Sequence, residues 1–146
     1  MNINDIQDKI IKEFSGLNDW MDKYEYLITL GKTLKATDKD LRIEENQIPG
    51  CQSTVWVKAE LKDNKITFSA DSEALITRGI IALLLRVLNN QSPEDILNAD
   101  LYFIEKIGLS SNLSPSRANG LASIVKILKS LAENIHSSQK YRQFYK

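Results

Sequence analysis

The chain has 146 residues, 19 basic and 19 acidic side chains, and a hydrophobic fraction of 42%. That is the size of one ordinary domain, with enough apolar residues for a real core and too many for a disordered chain. A formal net charge of zero argues against nucleic-acid binding as the main activity, because no surplus of cations exists to displace the counterions of a phosphate backbone.

No apolar run approaches the ~20 residues that cross a bilayer. The longest goes from Gly79 to Leu85 and stops at Arg86. The start of the chain, Met1-Asn2-Ile3-Asn4-Asp5, has neither a basic leader nor an Arg/Ser-rich transit composition. The expectation is a cytoplasmic protein with no membrane partner. A lone cysteine, Cys51, excludes an intrachain disulfide. With one histidine, His136, it cannot assemble a four-ligand thiolate or imidazole metal site, nor hold an iron–sulfur cluster by itself.

Taken in order, Ile6, Ile10, Ile11 and Phe14 recur at helical spacing, so a first helix is predicted from Asn4 to about Phe14, with Asn4 and Gln7 as a capping box. Gly16 separates it from a second helix, capped by Asn18 and carrying Trp20, Tyr24, Leu27, Ile28 and Leu34. Residues 36–46 are polar, lack periodicity and read as a loop. Pro49-Gly50 marks a turn just before Cys51.

Thr54 to Leu61 alternates, with Val55, Val57, Ala59 and Leu61 on one side and Thr54, Trp56, Lys58 and Glu60 on the other. Lys62-Asp63-Asn64-Lys65 supplies a turn, after which Ile66, Phe68 and Ala70 alternate again. This predicts an antiparallel hairpin with one face on a core. Asp71-Ser72 is placed as the N-cap of a helix of roughly 16 residues ending near Asn89-Asn90, apolar enough to be buried on more than one side. Ser92-Pro93 and Ser114-Pro115 start two further helices, the last long and apolar through Leu121, Ile124, Val125, Leu128 and Leu131. From about His136 the chain is polar and reads as a frayed or loosely helical tail. The predicted fold is α+β: one domain over residues 1–146, with a small antiparallel sheet packed against helices.

Cys51 is the first candidate for chemistry. A lone cysteine is often a small buried hydrophobe. Here it follows Pro-Gly and precedes Gln-Ser, in a polar turn at the mouth of a strand, where a rigid frame can present a reactive group. No Cys-x-x-Cys partner suggests dithiol redox work. A cysteine hydrolase needs a histidine base, and His136 sits in the polar tail. A persulfide carrier needs only one thiolate, which attacks a sulfur activated on a donor.

Arg117 lies about three residues into the last helix, where a cation opposes the helix dipole. It is either a surface arginine tied to a loop or a group steering a thiolate or partner. Asp71 is ambiguous in the same way, and as a helix N-cap it needs no other explanation. Gly120, early in the same helix, suggests close backbone packing, by the Cys51 loop or a neighbouring helix. Trp56 is a partner-contact aromatic or a core residue packed on a helix.

Ile48-Pro49-Gly50-Cys51-Gln52-Ser53-Thr54-Val55-Trp56 closely resembles the active-cysteine segment of the SufE family, including its CsdE relatives. Three more segments resemble the family in the same order. They are Trp20 to Ile28 with Leu30-Gly31-Lys32, Asp71-Ser72-Glu73-Ala74 with Arg78-Gly79, and Leu113-Ser114-Pro115-Ser116-Arg117 with Asn119-Gly120-Leu121. The resemblance runs from about Phe14 to about Leu131. Thr54 departs from it, standing where many relatives carry glutamine, and the polar tail lies beyond it.

The resemblance implies the SufE/IscU-like fold and a sulfur acceptor for a SufS-type cysteine desulfurase. Pyridoxal phosphate belongs to that partner and no cofactor to this chain. The carrier stimulates the desulfurase, takes its persulfide sulfur on Cys51 and passes it toward iron–sulfur cluster assembly on a SufB-type scaffold or another acceptor. Gly50, Gln52, Asp71 and Arg117 take supporting roles, with turn amides around Gly50 facing the anion. Such a chain is a sulfur-transfer partner rather than a stand-alone enzyme, and a monomer or weak dimer. Two alternatives stay open from the residues: a non-catalytic adaptor that only activates a desulfurase, and a single-cysteine redox sensor.

Overall fold

The computed structural model describes residues 2–34, 41–48 and 54–144. Two helices come first, α1 (Ile3–Ser15) and α2 (Trp20–Lys32). A 3-10 turn (Glu44–Asn46) then leads toward a hairpin of β1 (Val55–Lys62) and β2 (Lys65–Ser72). After it come α3 (Leu75–Leu88), the short helices α4 (Pro93–Asn98), α5 (Phe103–Lys106) and α6 (Leu109–Asn112), and the long α7 (Pro115–Phe144). The α+β expectation holds, with a two-stranded antiparallel sheet against helices.

The first two caps differ from the expected ones. Asn2, not Asn4, caps α1 by accepting the Asp5 amide at 2.8 Å. Gln7 does reach Asn4 at 3.3 Å, but its buried amide is mainly a tertiary bridge. It donates to the Asp100 carbonyl at 2.9 Å and accepts the Phe103 amide at 3.1 Å. A fully buried amide needs both a donor and an acceptor partner, and the turn before α5 supplies both. Asp19, not Asn18, caps α2 through the Asp22 amide at 2.9 Å.

The hairpin register pairs Val55 with Ser72 and Lys62 with Lys65. Asp63 and Asn64, at φ 53° and 62°, form the two-residue turn whose twist matches right-handed strands. Val55 and Val57 are buried as expected, but Leu61 is 39% exposed because the hairpin tip projects beyond the core. At the other end Trp56 and Asp71 face away from the valines, and both are buried. The base of the hairpin is therefore covered on two sides. The free edge of β2 is closed by the chain after α3. Asn89 accepts the Phe68 amide at 2.7 Å, Asn90 donates to the Ile66 carbonyl at 2.8 Å, and Ile66 donates to Gln91 at 2.8 Å. This removes an open template for strand pairing.

Asp71 and Ser72 do not cap α3. They end β2, and the 14-residue helix begins at Leu75 after Ala74, without a side-chain cap. Both side chains are engaged elsewhere, as described below. Ile80, Ile81, Leu83, Leu84, Val87 and Leu88 bury α3 on more than one side. Its closest neighbour is α2. A Cβ on Gly79 would stand 2.1 Å from the Leu27 carbonyl oxygen, and one on Gly31 would stand 2.9 Å from the Gly79 nitrogen. The two backbones meet where neither has a side chain.

Ser92 caps α4 as predicted, accepting the Asp95 amide at 3.1 Å. Ser114 holds the Arg117 amide at 3.3 Å at the start of α7. That helix buries Leu121, Ile124, Leu128 and Ala132. The stretch after His136 continues it to Phe144, and Gln139 bonds Asn64 at the hairpin tip at 3.0 Å.

Candidate functional site

Gly50, Cys51 and Gln52 lie outside the described residues, but the chain on either side of them is held. On the near side Ile48 is buried, its amide donates to the Val55 carbonyl at 2.9 Å, and Gln47 bridges Trp56 in antiparallel sense. On the far side the Thr54 carbonyl accepts from the Ser72 hydroxyl at 2.9 Å. Ser72 Oγ also accepts the Ala74 amide at 3.2 Å, fixing the passage from β2 to α3.

Next to Ser72 stands Asp71, with a side chain only 4% exposed. An isolated buried carboxylate is costly, and two arginines answer it. Arg42 donates Nε and Nη2 to Asp71 Oδ2 at 3.1 and 2.8 Å. Arg78 Nη1 pairs with Asp71 Oδ1, and the Ser72 amide donates to the same oxygen at 2.9 Å. Burial pushes the Asp71 carboxyl pKa up. The Arg42 hydrogen bond, the Ser72 amide and the charges of Arg78 and Arg42 together outweigh it, leaving the group below the usual carboxylate range.

The two arginines come from different elements and do different work. Arg78, on the first turn of α3, also reaches back across α2, with Nε 3.3 Å from the Gly31 carbonyl and Nη2 3.4 Å from that of Leu34. It adds a side-chain donor to carbonyls at and just beyond the end of α2, where that of Gly31 already accepts the Leu34 amide at 3.2 Å. Arg42, from the segment before the 3-10 turn, lies over the Trp56 ring at 4.8 Å and keeps its side chain 47% exposed. Trp56 is thus a buried residue under a cation at the base of the hairpin.

Arg117 is exposed on α7 and makes no ion pair among the described residues. It shares no hydrogen bond with the Asp71 cluster. Gly120 is half-buried, and the Cys51 loop expected to pack on it falls outside the described residues. His136 is half-buried on α7. No group of three or more His, Cys, Asp or Glu side chains suited to a metal occurs among the described residues, and none of the described helices is long and apolar enough to cross a membrane.

Sequence reading passed over Arg42, which lies in a polar stretch without periodicity, and noted Arg78 only as part of a resembling segment. The one available signal was Asp71 itself, in a run that alternates with buried positions. A carboxylate there demands cations, though not which ones.

The model of the SufE family, an Fe-S metabolism associated domain, matches residues 8–132. The chain is 39% identical over 131 residues to an uncharacterized SufE-like protein of Rhizobium meliloti, covering 86% of this chain and 94% of that one. It is 36% identical over 133 residues to another from Synechocystis, covering 91% and 84%. The solution structure of a hypothetical protein from Thermus thermophilus superposes with a TM-score of 0.74 at 19% identity, covering 90% of this chain and 96% of that one, which shows a shared fold. A family match across most of the length and relatives at this identity lead to one conclusion: the chain belongs to the SufE family and has a role in Fe–S metabolism.

Proposed function

We propose that this protein accepts sulfur from a SufS-type cysteine desulfurase as a persulfide on Cys51 and passes it to iron–sulfur cluster assembly, on a SufB-type scaffold or another acceptor. The observation that carries this reading is the setting of the only thiol. It belongs to a Gly-Cys-Gln-Ser segment whose flanks, Ile48 and Thr54, are both pinned to the hairpin. A frame of that kind can present one short stretch of chain to a partner while the rest stays folded.

The Cys51 thiolate attacks the outer sulfur of the donor's persulfide. A new S–S bond forms on Cys51, the donor's S–S bond breaks, and the donor cysteine leaves as a thiolate. The exchange involves no net oxidation, so it needs no redox cofactor. Gly50, Gln52, Asp71 and Arg117 take supporting roles, Asp71 anchoring the frame and Arg117 serving a partner-facing surface. The protein works in the cytoplasm as a monomer or weak dimer and activates its desulfurase on binding.

Intact-mass measurement after incubation with a cysteine desulfurase and free cysteine tests this. The expected result is a gain of one sulfur atom, absent from Cys51→Ser and removed by reductant. Sulfur transfer that survives Cys51→Ser would sink the mechanism. Undiminished stimulation of the desulfurase by Cys51→Ser, without any mass gain on the wild type, would leave an adaptor in its place.

A further inference from the structure

The two edges of the hairpin are unequal. On β2, Ile66 and Phe68 turn their amides outward, and the chain after α3 takes both through Gln91 and Asn89. Residues directly opposite in an antiparallel ladder share one hydrogen-bonding phase. Their register partners, Leu61 and Ala59, therefore turn their backbone groups to the outer edge of β1. Val55 has the same phase, and its carbonyl meets the Ile48 amide there. That cover stops short of the tip. Among the described residues, Ala59 and Leu61 have no backbone partner outside the hairpin.

Helix α7 packs on the β1 side of the hairpin and α3 on the β2 side. Between the tip and α7 lies an open cleft of about 450 Å3, lined by Ala59, Leu61, Asn134, Ile135, Ser138 and Gln139. Gln139 also bonds Asn64 in the turn, which holds the tip in place. Leu61, one of the few exposed large apolar side chains, stands at the mouth of this cleft.

Free edges are commonly guarded by charge, lysine above all, which repels a second strand. The outer face here alternates in sign instead, as Lys58, Glu60 and Lys62. Glu60 pairs with Lys58 at 3.4 Å, and Lys62 has no ion pair among the described residues. Such a pattern can complement its own reverse, and a twofold axis supplies that reverse. An axis through Glu60 or Lys62 sets like charges face to face, which is destabilising. An axis through Ala59 brings the copy's Lys62 opposite Trp56, a place that Gln47 already fills. An axis through Leu61 sets Leu61 against Leu61 and Glu60 against Lys62 twice.

We propose that the outer edge of β1 at the hairpin tip is a self-association surface, filled by the same edge of a second copy about a twofold axis at Leu61. The Leu61 amides and carbonyls of the two chains exchange hydrogen bonds. The two Leu61 side chains meet beside the clefts, and each Lys62 gains the Glu60 of the other chain. Val55, at the hairpin base, lies six residues or about 20 Å from the axis, so the Asp71 cluster sits at the far end from the contact. A few residues a side fall well short of the roughly 20–30 of a stable interface. The association is therefore weak, with a Kd of about 0.1 to 1 mM. The inference gives the weak dimer of the proposed function its surface, and stands whether or not Cys51 accepts sulfur.

Sedimentation equilibrium of the full chain, up to about 1 mM, tests it. The wild type is expected to show a concentration-dependent rise in mass toward a dimer. Glu60→Lys should weaken the association by about tenfold, because two attractive cross-strand pairs become two repulsive ones. Combining Glu60→Lys with Lys62→Glu should restore it. Combining Glu60→Lys with Lys58→Glu also keeps the net charge at zero, but should not restore it, because Lys58 has no place in this register. A wild type that stays monomeric, an association indifferent to Glu60→Lys, or equal rescue by both double variants overturns the proposal. Should a variant fail to fold, the wild type alone still decides. Its association should weaken as salt rises from about 0.05 M to about 0.5 M, and an unchanged Kd would refute the charge pairing. No desulfurase takes part, so failure here leaves the sulfur-acceptor reading untouched, and a chain that accepts no sulfur leaves this surface standing.

Discussion

Helices α2 and α3 are joined at two adjacent places by opposite means. At the crossing, Gly31 and Gly79 omit their side chains so that backbones can touch, with Leu27 fully buried beside them. One residue away on α3, Arg78 extends a full guanidinium to the Gly31 carbonyl and the Asp71 carboxylate. The first contact depends on shape and is indifferent to pH. The second depends on charge and tolerates some change of shape. Neighbouring residues on one helix thus hold the scaffold and the frame of the candidate site by separable physics.

The comparison is broken most directly at Gly79. A methyl group there meets the backbone of Leu27, which cannot swing aside. Gly79→Ala should lose about 3 kcal/mol, the upper end of overpacking, in urea unfolding, equally at neutral and acid pH. Gly31→Ala, with a wider 2.9 Å approach, should lose about half as much. A loss below about 1 kcal/mol for Gly79→Ala would mean that the crossing is softer than described.

Asp71→Asn should cost about 2 kcal/mol at neutral pH. A broken buried pair costs about 3–5 kcal/mol, and the exposure of Arg42 lowers that figure. Here pH sharpens the contrast. The folded carboxyl lies below its usual value of 3.8, so its contribution is complete above that value and fades as pH falls through the lower folded one. Acid unfolding of the wild type should steepen below about pH 4, and the Asp71→Asn curve should be flatter there. An equally steep curve would assign the acid sensitivity to another carboxylate. Glu13 is the nearest rival, because its pKa is lowered mainly by its hydrogen bond to Arg86.

That rival marks the next smaller effect. Glu13 and Arg86 pair at 2.6 Å, each about one-third exposed. Arg86→Ala should cost under about 1 kcal/mol and should lose its effect at high salt. Smallest of all, Arg117→Ala should change thermal stability by no more than about 0.5 kcal/mol while lowering sulfur acceptance from a desulfurase. A large drop in melting temperature would return Arg117 to a purely structural role.

Much of the architecture was legible because it is local. The hairpin follows from alternation and an Asp-Asn turn, α4 and α7 from Ser-Pro starts, and the burial of α3 from its unbroken apolar run. The errors fall where a polar side chain had a choice of partners. Asn4, Asn18, Asp71 and Ser72 all had the chemistry of caps. The first two lost the caps to Asn2 and Asp19, and the last two serve contacts distant in sequence. Cap residues compete for nearby amides on energies of about 1 kcal/mol, so one buried ion pair is enough to reassign them.

Taken alone, the sequence determined the α+β class, the family, the absence of a disulfide and the single thiol on which any sulfur chemistry must rest. The class depends on periodicity and turn residues, the disulfide and thiol on residue counts, and the family on the resemblance carried by the Cys51 segment and three others. Only the tertiary structure decided that Asp71 belongs to Arg42 and Arg78, that Trp56 lies beneath a guanidinium, and that Gly31 meets Gly79. Those partners stand 7 to 48 positions apart in the chain, and every pair but Asp71 with Arg78 spans at least 14. Such pairings are selected by burial, where an unpaired charge or a surplus methyl group is expensive, and burial exists only once the chain has folded.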